Sequence, residues 1–340
     1  MNDNNCSADI RRYHDNYVKL SPETRKQLRG HRNANRDRLK DSLKEDDGPT
    51  PLRFQKQGSY AMHTTVQHPN NDYDIDDGVV FAKEDLVGVR GGHMSPLEAR
   101  KMVGEALQDD RFTKKPEVLK NCVRVYYNEG YCVDVPVYRE SGPEGAELVE
   151  LASAEWKKSD PAEINAWFES RAKAKSHADD DQDDTQFRRL IRLLKRYCTS
   201  RDSWNLPSGF ILTILVDEVY NLYEAREDHA FYNLLVAVKS RLALNLEVRN
   251  PKDWAEVLTK GNPDPKMVDL KEKLTDAIAD LGIIWNPKAT RSQVLKAWGK
   301  VFNSDDIDPD AVKWEQTARA SVVSTVPTEP VRKEGGGRFG

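Results

Sequence analysis

The sequence is poor in cysteine and contains no long hydrophobic run. Only four cysteines occur in 340 residues, at 6, 122, 132 and 198, and none are spaced as C-x-x-C, so neither a zinc site nor a disulfide framework is predicted. No apolar stretch approaches the length of a membrane span, and the polar start Met1–Cys6 lacks the features of a secretory signal. These absences predict a cytoplasmic protein that does not interact with a membrane.

The sequence also lacks a large excess of charge of one sign. Charged residues make up 32% and hydrophobic residues 38% of the chain, and the formal net charge is −4. This balance argues against a protein that binds nucleic acid over its whole surface, so no stable nucleic-acid partner is expected, although a local basic cleft is left open. The length allows two domains or one large two-lobed enzyme.

A Gly-Ser pair follows the first predicted strand, Leu52–Gln57, and precedes a short predicted helix. Glycine lets the backbone approach a phosphate closely, and the start of a helix offers N–H groups to it. The hydroxyl of Ser59 can add one more donor beside Gly58. The segment from Gln57 to Tyr60 therefore predicts a site for the phosphates of a nucleotide.

Two aspartates alternate with apolar residues shortly after this motif. Asp74 and Asp76 alternate with Tyr73 and Ile75 at the period of a strand, so both carboxylates face one way, roughly 6–7 Å apart. Carboxylate oxygens are hard ligands suited to Mg²⁺. A turn or a solvated acidic loop is the simpler alternative for this segment.

A third carboxylate lies in a later β-rich segment. Segments 118–127 and 131–138 are predicted as strands joined by a turn at Asn128–Gly130. Asp134 stands alone in the apolar run 133–137, and a buried carboxylate requires a cationic partner. A two-metal site needs such a residue, so Asp134 is predicted as the third ligand.

These motifs together resemble a known family. Gln57-Gly58-Ser59-Tyr60-Ala61, then Asp74-Ile75-Asp76-Asp77-Gly78-Val79, then Tyr131-Cys132-Val133-Asp134-Val135-Pro136 is similar to the bacterial cGAS/DncV-like nucleotidyltransferases of cyclic-oligonucleotide anti-phage systems. Asp72 shares the strand parity of Asp74, but the pattern of the family selects Asp74 and Asp76. The resemblance implies an α+β, polymerase-β-type nucleotidyltransferase fold, with a mixed β-sheet core lobe, a helical C-terminal lobe and the active site in the cleft between them.

The second half of the chain is predicted to be helical. The resemblance assigns triphosphate binding to Lys195, on the first strong amphipathic helix, and to Ser208, at the start of the next; spacing alone does not separate Lys195 from Arg192 or Arg196. An exposed basic helix face is the alternative, and the acidic run 179–184 is interpreted as a solvated linker. The predicted helices are 21–45, 96–107, 156–173, 185–199, 210–223, 228–244, 265–281 and 290–302, with Trp254, Trp285 and Trp298 packing the last ones.

The resulting organisation has three parts. Residues 1–155 are predicted as the core lobe with the long N-terminal helix, 156–312 as an OAS-like helical lobe, and 313–340 as a flexible tail. Some members of the resembling family are joined to targets through a C-terminal glycine by a partner ligase with ubiquitin-activating and ubiquitin-conjugating modules. Gly340 is a candidate for such conjugation, and a frayed terminus is the alternative.

The predicted activity is the joining of nucleoside triphosphates, ATP among them, into a cyclic di- or trinucleotide with release of pyrophosphate. Asp74, Asp76 and Asp134 would hold two Mg²⁺ ions per active site, while Gln57, Gly58, Ser59, Lys195 and Ser208 would bind the nucleotide. Two alternatives are left open. The first is a nucleotidyltransferase that makes linear oligonucleotides, extends RNA 3′ ends or transfers AMP, and the second is a weakly catalytic nucleotide-binding interaction module.

Overall fold

The computed structural model describes residues 4–67, 74–89, 91–178, 180–181, 184–221 and 223–307. None of the helices within these ranges combines the length and the apolar character needed to cross a membrane. Asp72, Tyr73, three residues of the acidic run (179, 182 and 183), and Gly340 with the tail before it lie outside the described residues.

One mixed sheet forms the core lobe, and its central strand carries two of the three aspartates. The strand order is β3-β4-β5-β2-β6-β7-β8, with β1 paired antiparallel to β2. The strands are β1 Arg53–Gln57, β2 Asp74–Ala82, β3 Glu117–Val118, β4 Val123–Tyr126, β5 Cys132–Val135, β6 Val137–Ser141, β7 Leu148–Ala152 and β8 Trp156–Lys158.

The predicted single strand 131–138 is two strands, because Pro136 interrupts the ladder. The half of β2 that begins at Asp74 pairs in parallel with β5, and the half from Val79 to Ala82 pairs in parallel with β6. Proline has no N–H to donate, and the carbonyl of Pro136 instead accepts a hydrogen bond from the Val79 amide at 2.9 Å. The predicted strand 118–127 is likewise divided into β3 and β4.

Two helices cover the core-lobe sheet. The long helix α2 begins at Pro22 after Ser21, whose hydroxyl accepts a hydrogen bond from the Thr24 amide, and α4 begins at Pro96 with a capping box on Ser95. The helix α2 packs through one narrow face, since its buried residues are Leu28, Asn35, Leu39 and Leu43. The helices are α1 Ser7–Tyr13, α2 Pro22–Glu45, α3 Gly58–Ala61, α4 Pro96–Ala106, α5 Pro161–Ala174, α6 Gln186–Cys198, α7 Gly209–Val219, α8 Glu227–Leu244, α9 Pro265–Leu281 and α10 Arg291–Phe302.

The N-terminal segment packs with the helical lobe, although it precedes the core lobe in the chain. Cys6 at the N-cap of α1, Ile10 and Tyr13 within it, and Val18 at the end of a π-helical turn belong to the same buried cluster as α6 to α10. The predicted assignment of 1–155 to the core lobe therefore does not describe the packing of this segment. Its apolar residues are buried against a helical surface that is far away in sequence.

Three local predictions are wrong. Trp156 lies in β8, paired with Ala152, so the helix predicted from 156 begins only at Pro161, after the cap of Asp160. Trp298 is buried, but Trp254 and Trp285 are 73% and 51% exposed and do not fill the core. The acidic run is not wholly solvated, because Asp184 is buried among basic side chains.

Candidate active site

The Gly-Ser motif lies directly against the acidic strand. Gln57 pairs with Asp76 across the β1–β2 ladder, and Gly58 then turns into α3 with a φ of +65°. A Cβ atom on Gly58 would lie 2.1 Å from Oδ2 of Asp76, so only glycine fits here. The hydroxyl of Ser59 is 3.0 Å from that of Thr65, and Gln57 Oε1 accepts a hydrogen bond of 3.1 Å from the Tyr138 hydroxyl. The motif and the first acids therefore form one surface.

Parallel pairing of β2 with β5 brings the third aspartate beside the first two. Asp76 is the register partner of Asp134. Arg124 on β4 joins the group, because its Nε and Nη2 each donate to Asp134 at 2.8 Å and its Nη2 also donates to Asp74 at 2.9 Å. The three acids thus meet at one place in the sheet.

Sequence reasoning did not identify Arg124. The feature that could have identified it is the register of the β4–β5 hairpin, because these strands pair antiparallel and place Arg124 opposite Asp134. The predicted requirement for a cation beside the buried Asp134 is therefore met in this structure by a guanidinium.

Asp76 differs from its neighbours in having no hydrogen-bond or ion-pair partner among the residues that the structure describes. Burial, followed by the negative charges of Asp134 and Asp74, raises the pKa of Asp76 to about 7. Arg124 acts in the opposite direction but does not outweigh these effects. The site therefore holds more negative charge than its own cation neutralises, which is the condition of a carboxylate cluster that binds a further cation.

The helical lobe places Lys195 and Ser208 across the cleft. The Nζ of Lys195 donates to Thr64 Oγ1 at 2.9 Å, and the lysine stem packs against Gly209, where a Cβ would lie 3.1 Å from Cε. Ser208 is the N-cap residue of α7, but its hydroxyl makes no capping hydrogen bond. A cavity of about 940 Å³ is bordered by all the predicted site residues of the described chain except Asp134, namely Gln57, Gly58, Ser59, Asp74, Asp76, Lys195 and Ser208.

The three aspartates fit divalent cations by their chemistry. Two neighbouring strands supply these carboxylates, and the Asp76 carboxylate has no partner among the described residues. Oxygen ligands of this kind suit Mg²⁺. A second group also has ligand-like spacing, because atoms of His14, Asp15 and Asp184 all lie within 4.8 Å of one another. Asp184 in that group already pairs with Arg192, so its charge is neutralised without a metal.

Comparison with known proteins agrees with this fold. Residues 52–138 match the family model described as "Cyclic GMP-AMP synthase DncV-like, nucleotidyltransferase domain". Two solved structures superpose on the chain with a TM-score of 0.69: the CD-NTase CdnG of Bradyrhizobium diazoefficiens in complex with GTP (16% identity, 92% of this chain and 99% of that chain) and Vibrio cholerae DncV cyclic AMP-GMP synthase with a linear intermediate (18%, 90% and 98%). Escherichia coli CdnC, in complex with HORMA-deltaN, gives a TM-score of 0.65 at 17% identity over 88% of this chain and 97% of that chain.

The chain has the fold of the polymerase-β-type nucleotidyltransferases, with a mixed-sheet core lobe and a helical lobe. Residues 52–138 match the DncV-like nucleotidyltransferase domain, and the resemblance inferred from the motifs is confirmed.

Proposed function

We propose that this protein is a cyclic oligonucleotide synthase, which joins nucleoside triphosphates into a cyclic di- or trinucleotide signal with release of pyrophosphate. The observation that supports it best is the single cavity in which the Gly58-Ser59 turn, the carboxylates of β2, and Lys195 with Ser208 face one another. A phosphate cradle, a carboxylate cluster and a lysine are the groups that nucleotidyl transfer requires in one place. The relatives described above with bound GTP or with a linear intermediate support nucleotides as ligands.

Each residue has a defined task in this proposal. Asp74, Asp76 and Asp134 would hold Mg²⁺, which when bound supplies neutralising charge at the triphosphate and acidifies the attacking ribose hydroxyl. The Gly58 turn lets the triphosphate approach β2 closely, and the Ser59 hydroxyl donates to it. Lys195 donates from the opposite wall and stabilises the negative charge of the departing pyrophosphate. Arg124 holds Asp74 and Asp134 in place, so that their carboxylates are oriented before a cation arrives.

The direct test is product analysis. The protein is incubated with the four ribonucleoside triphosphates and Mg²⁺, the mixture is treated with phosphatase, and resistant products are weighed by mass spectrometry. A cyclic product lacks terminal phosphates and therefore survives the phosphatase unchanged. Linear, dephosphorylated oligonucleotides or AMP-modified acceptors would overturn cyclisation while keeping nucleotidyl transfer. Absence of pyrophosphate release would favour the nucleotide-binding interaction module.

The proposal extends to an anti-phage role and to conjugation through Gly340. Both rest on the resemblance to a family some of whose members are joined to targets through a C-terminal glycine. Deleting Phe339 and Gly340 should abolish conjugates in cells that contain a ubiquitin-ligase-like partner, while synthesis in vitro continues. Conjugates that persist after the deletion would contradict this part of the proposal.

A further inference from the structure

One face of α6 carries three basic side chains directed at the core lobe. Arg188, Arg192 and Lys195 follow one another at intervals of four and three residues, which places them on one side of a helix. All three are at least 92% buried, in contrast to the exposed basic face that is the alternative from the sequence. This face of α6 is therefore packed inside the protein and is largely shielded from solvent.

Each of these side chains donates to a different carbonyl of one short segment. Arg188 Nε donates to Met62 O at 3.2 Å, Arg192 Nη1 donates to His63 O, and Lys195 Nζ is 3.4 Å from Thr64 O. The acceptors are consecutive residues that follow the Gly58–Ala61 helix. We call residues 62–65 the cradle loop. Three successive carbonyls of the core lobe are thus fixed by one helix of the other lobe.

The cradle loop in turn supports the Gly-Ser turn. The Thr64 amide donates to Ser59 O at 2.9 Å, and the hydroxyls of Thr65 and Ser59 are 3.0 Å apart. His63 has a φ of +57°, a conformation that a non-glycine residue adopts only when its surroundings hold it there. The position of the loop therefore depends on bonds from outside it, and Ser59 depends on the loop.

Both arginines also bond to side chains outside the cradle loop. Arg188 Nη2 donates to both carboxylate oxygens of Glu169 at 2.8 Å. Arg192 donates from Nε to His14 Nε2 at 2.9 Å, and its Nη2 pairs with Asp184. Each guanidinium is thus bonded both to the cradle loop and to groups outside it, so neither arginine can follow a displaced loop without losing these bonds.

We propose that Arg188 and Arg192 are positioning residues that set the triphosphate cradle from the helical lobe, by fixing the carbonyls of the cradle loop and thereby the Ser59 hydroxyl. This inference rests on the proposed function for the identity of the ligand but not for the mechanical link. The two arginines do not line the cavity, whereas Lys195, on the same face, does. The relative placement of the two lobes and the affinity for triphosphate are thereby coupled.

The test compares two matched variants of α6 in the full-length protein. Arg188→Met removes the bond to Met62 O, and its acidic partner Glu169 is 55% exposed and can be solvated. Arg196→Met is the control, because Arg196 donates to the Tyr13 hydroxyl and makes no bond to the cradle loop. Amide hydrogen exchange of residues 59–67 should become about tenfold faster in Arg188→Met and stay unchanged in Arg196→Met. Equal exchange in the two variants would overturn the proposal.

Two further measurements distinguish positioning from general damage. Binding of inorganic tripolyphosphate without divalent cations should weaken about tenfold in Arg188→Met but not in Arg196→Met, and Arg188→Lys, which keeps a donor, should recover part of the loss. In turnover, KM for the triphosphate should rise about tenfold while kcat changes less than threefold. A fall in kcat at unchanged KM would contradict a cradle role. Exchange and tripolyphosphate binding need no turnover, so they test this inference even if the proposed synthesis fails.

Discussion

Two clusters of charged side chains among the described residues differ in their charge balance. In the acid cluster of Asp74, Asp76 and Asp134, the guanidinium of Arg124 pairs with Asp74 and Asp134, so one cation faces three carboxylates. The second cluster, which we call the N-terminal network, consists of Asp184 with Arg11, His14, Asp15, Lys19 and Arg192. Its buried Asp184 carboxylate is surrounded by three cations. Atoms of His14, Asp15 and Asp184 in the second group lie within 4.8 Å of one another, which is the spacing of metal ligands. The acid cluster, in contrast, holds more negative charge than Arg124 neutralises.

The charge of Asp184 in the N-terminal network is neutralised by side chains of the network itself. Asp184 pairs with Arg11 at 3.1 Å and with Lys19 at 3.2 Å, in addition to Arg192. Burial is the main cause that lowers the pKa of His14 to about 4, so its ring is neutral, donating from Nδ1 to Asp15 and accepting from Arg192 at Nε2. The comparison shows that charge balance, rather than the spacing of the side chains, distinguishes a cation-binding site from a structural salt-bridge network.

The largest effect is expected at Asp76. Asp76→Asn removes the carboxylate that lacks a partner, so product formation should fall at least about 10³-fold, as expected for loss of a group that stabilises the transition state. The metal-free protein should be at least as stable as the wild type, because one of three crowded negative charges is gone. Pyrophosphate release and thermal unfolding, each with and without Mg²⁺, measure both effects.

Magnesium provides the control for this prediction. It should raise the Tm of the wild type but not of Asp76→Asn, because binding to the native state alone stabilises it. A variant that is strongly destabilised without metal would show that Asp76 is a structural residue, and the contrast between the two clusters would then be lost.

Asp184→Asn tests the opposite cluster. Loss of this charge leaves the buried Arg192 without its counter-charge, and breaking a buried pair costs about 3–5 kcal/mol of unfolding free energy. Urea denaturation should show this loss as a lower midpoint. The Mg²⁺-dependent rise in Tm should persist, since the metal site lies elsewhere. Disappearance of that rise would indicate that the N-terminal network, and not the acid cluster, binds the cation.

Gly58→Ala tests the contact between the cradle and the acid cluster. The added methyl group would lie 2.1 Å from Asp76 Oδ2, at a backbone φ of +65°, so the turn or the carboxylate must move. We expect turnover to fall about 10²-fold, because misplacing reacting groups by about 1 Å has effects of this size.

Gly30→Ala is the matched control for this glycine. Nothing lies within 4 Å of a Cβ at Gly30, which is in the middle of α2, so alanine there should raise stability by about 0.5–1 kcal/mol and leave turnover unchanged. Normal turnover of Gly58→Ala would show that the close approach of Gly58 to Asp76 has no role in the reaction.

Features governed by short-range periodicity were predictable from the sequence. The strand period put Asp74 and Asp76 on one face of β2, and Ser21-Pro22 gave the start of the long helix. The burial of Asp184 was not predictable, because an acidic run resembles a solvated loop until the Arg192 that faces it is known. The same holds for Arg124, whose partner depends on hairpin register, and for the N-terminal segment, whose apolar residues pack on helices far away in sequence.

The smallest expected effect distinguishes Lys195 from its structural neighbours by pH. Burial, followed by the charge of Arg192, lowers the pKa of Lys195 from 10.5 to about 7. Between these values the unfolded chain holds a proton that the native protein has released, so this residue makes the free protein more stable as pH rises from 7 towards 10. A bound triphosphate favours the charged ammonium and must restore the proton, so ligand affinity changes in the opposite direction.

This opposition can be measured without metal or turnover. From pH 7.5 to pH 8.5, where the phosphates of ATP are already deprotonated, the affinity for ATP in the presence of a chelator should fall by up to about tenfold. Lys195→Gln should bind more weakly at pH 7.5 and show a flat profile over the same range. If the variant keeps the slope of the wild type, the proton is taken up elsewhere. Lys195 would then belong with Arg188 and Arg192 as a holder of the cradle loop, and the charge available to the ligand would lie only on the core-lobe side of the cavity.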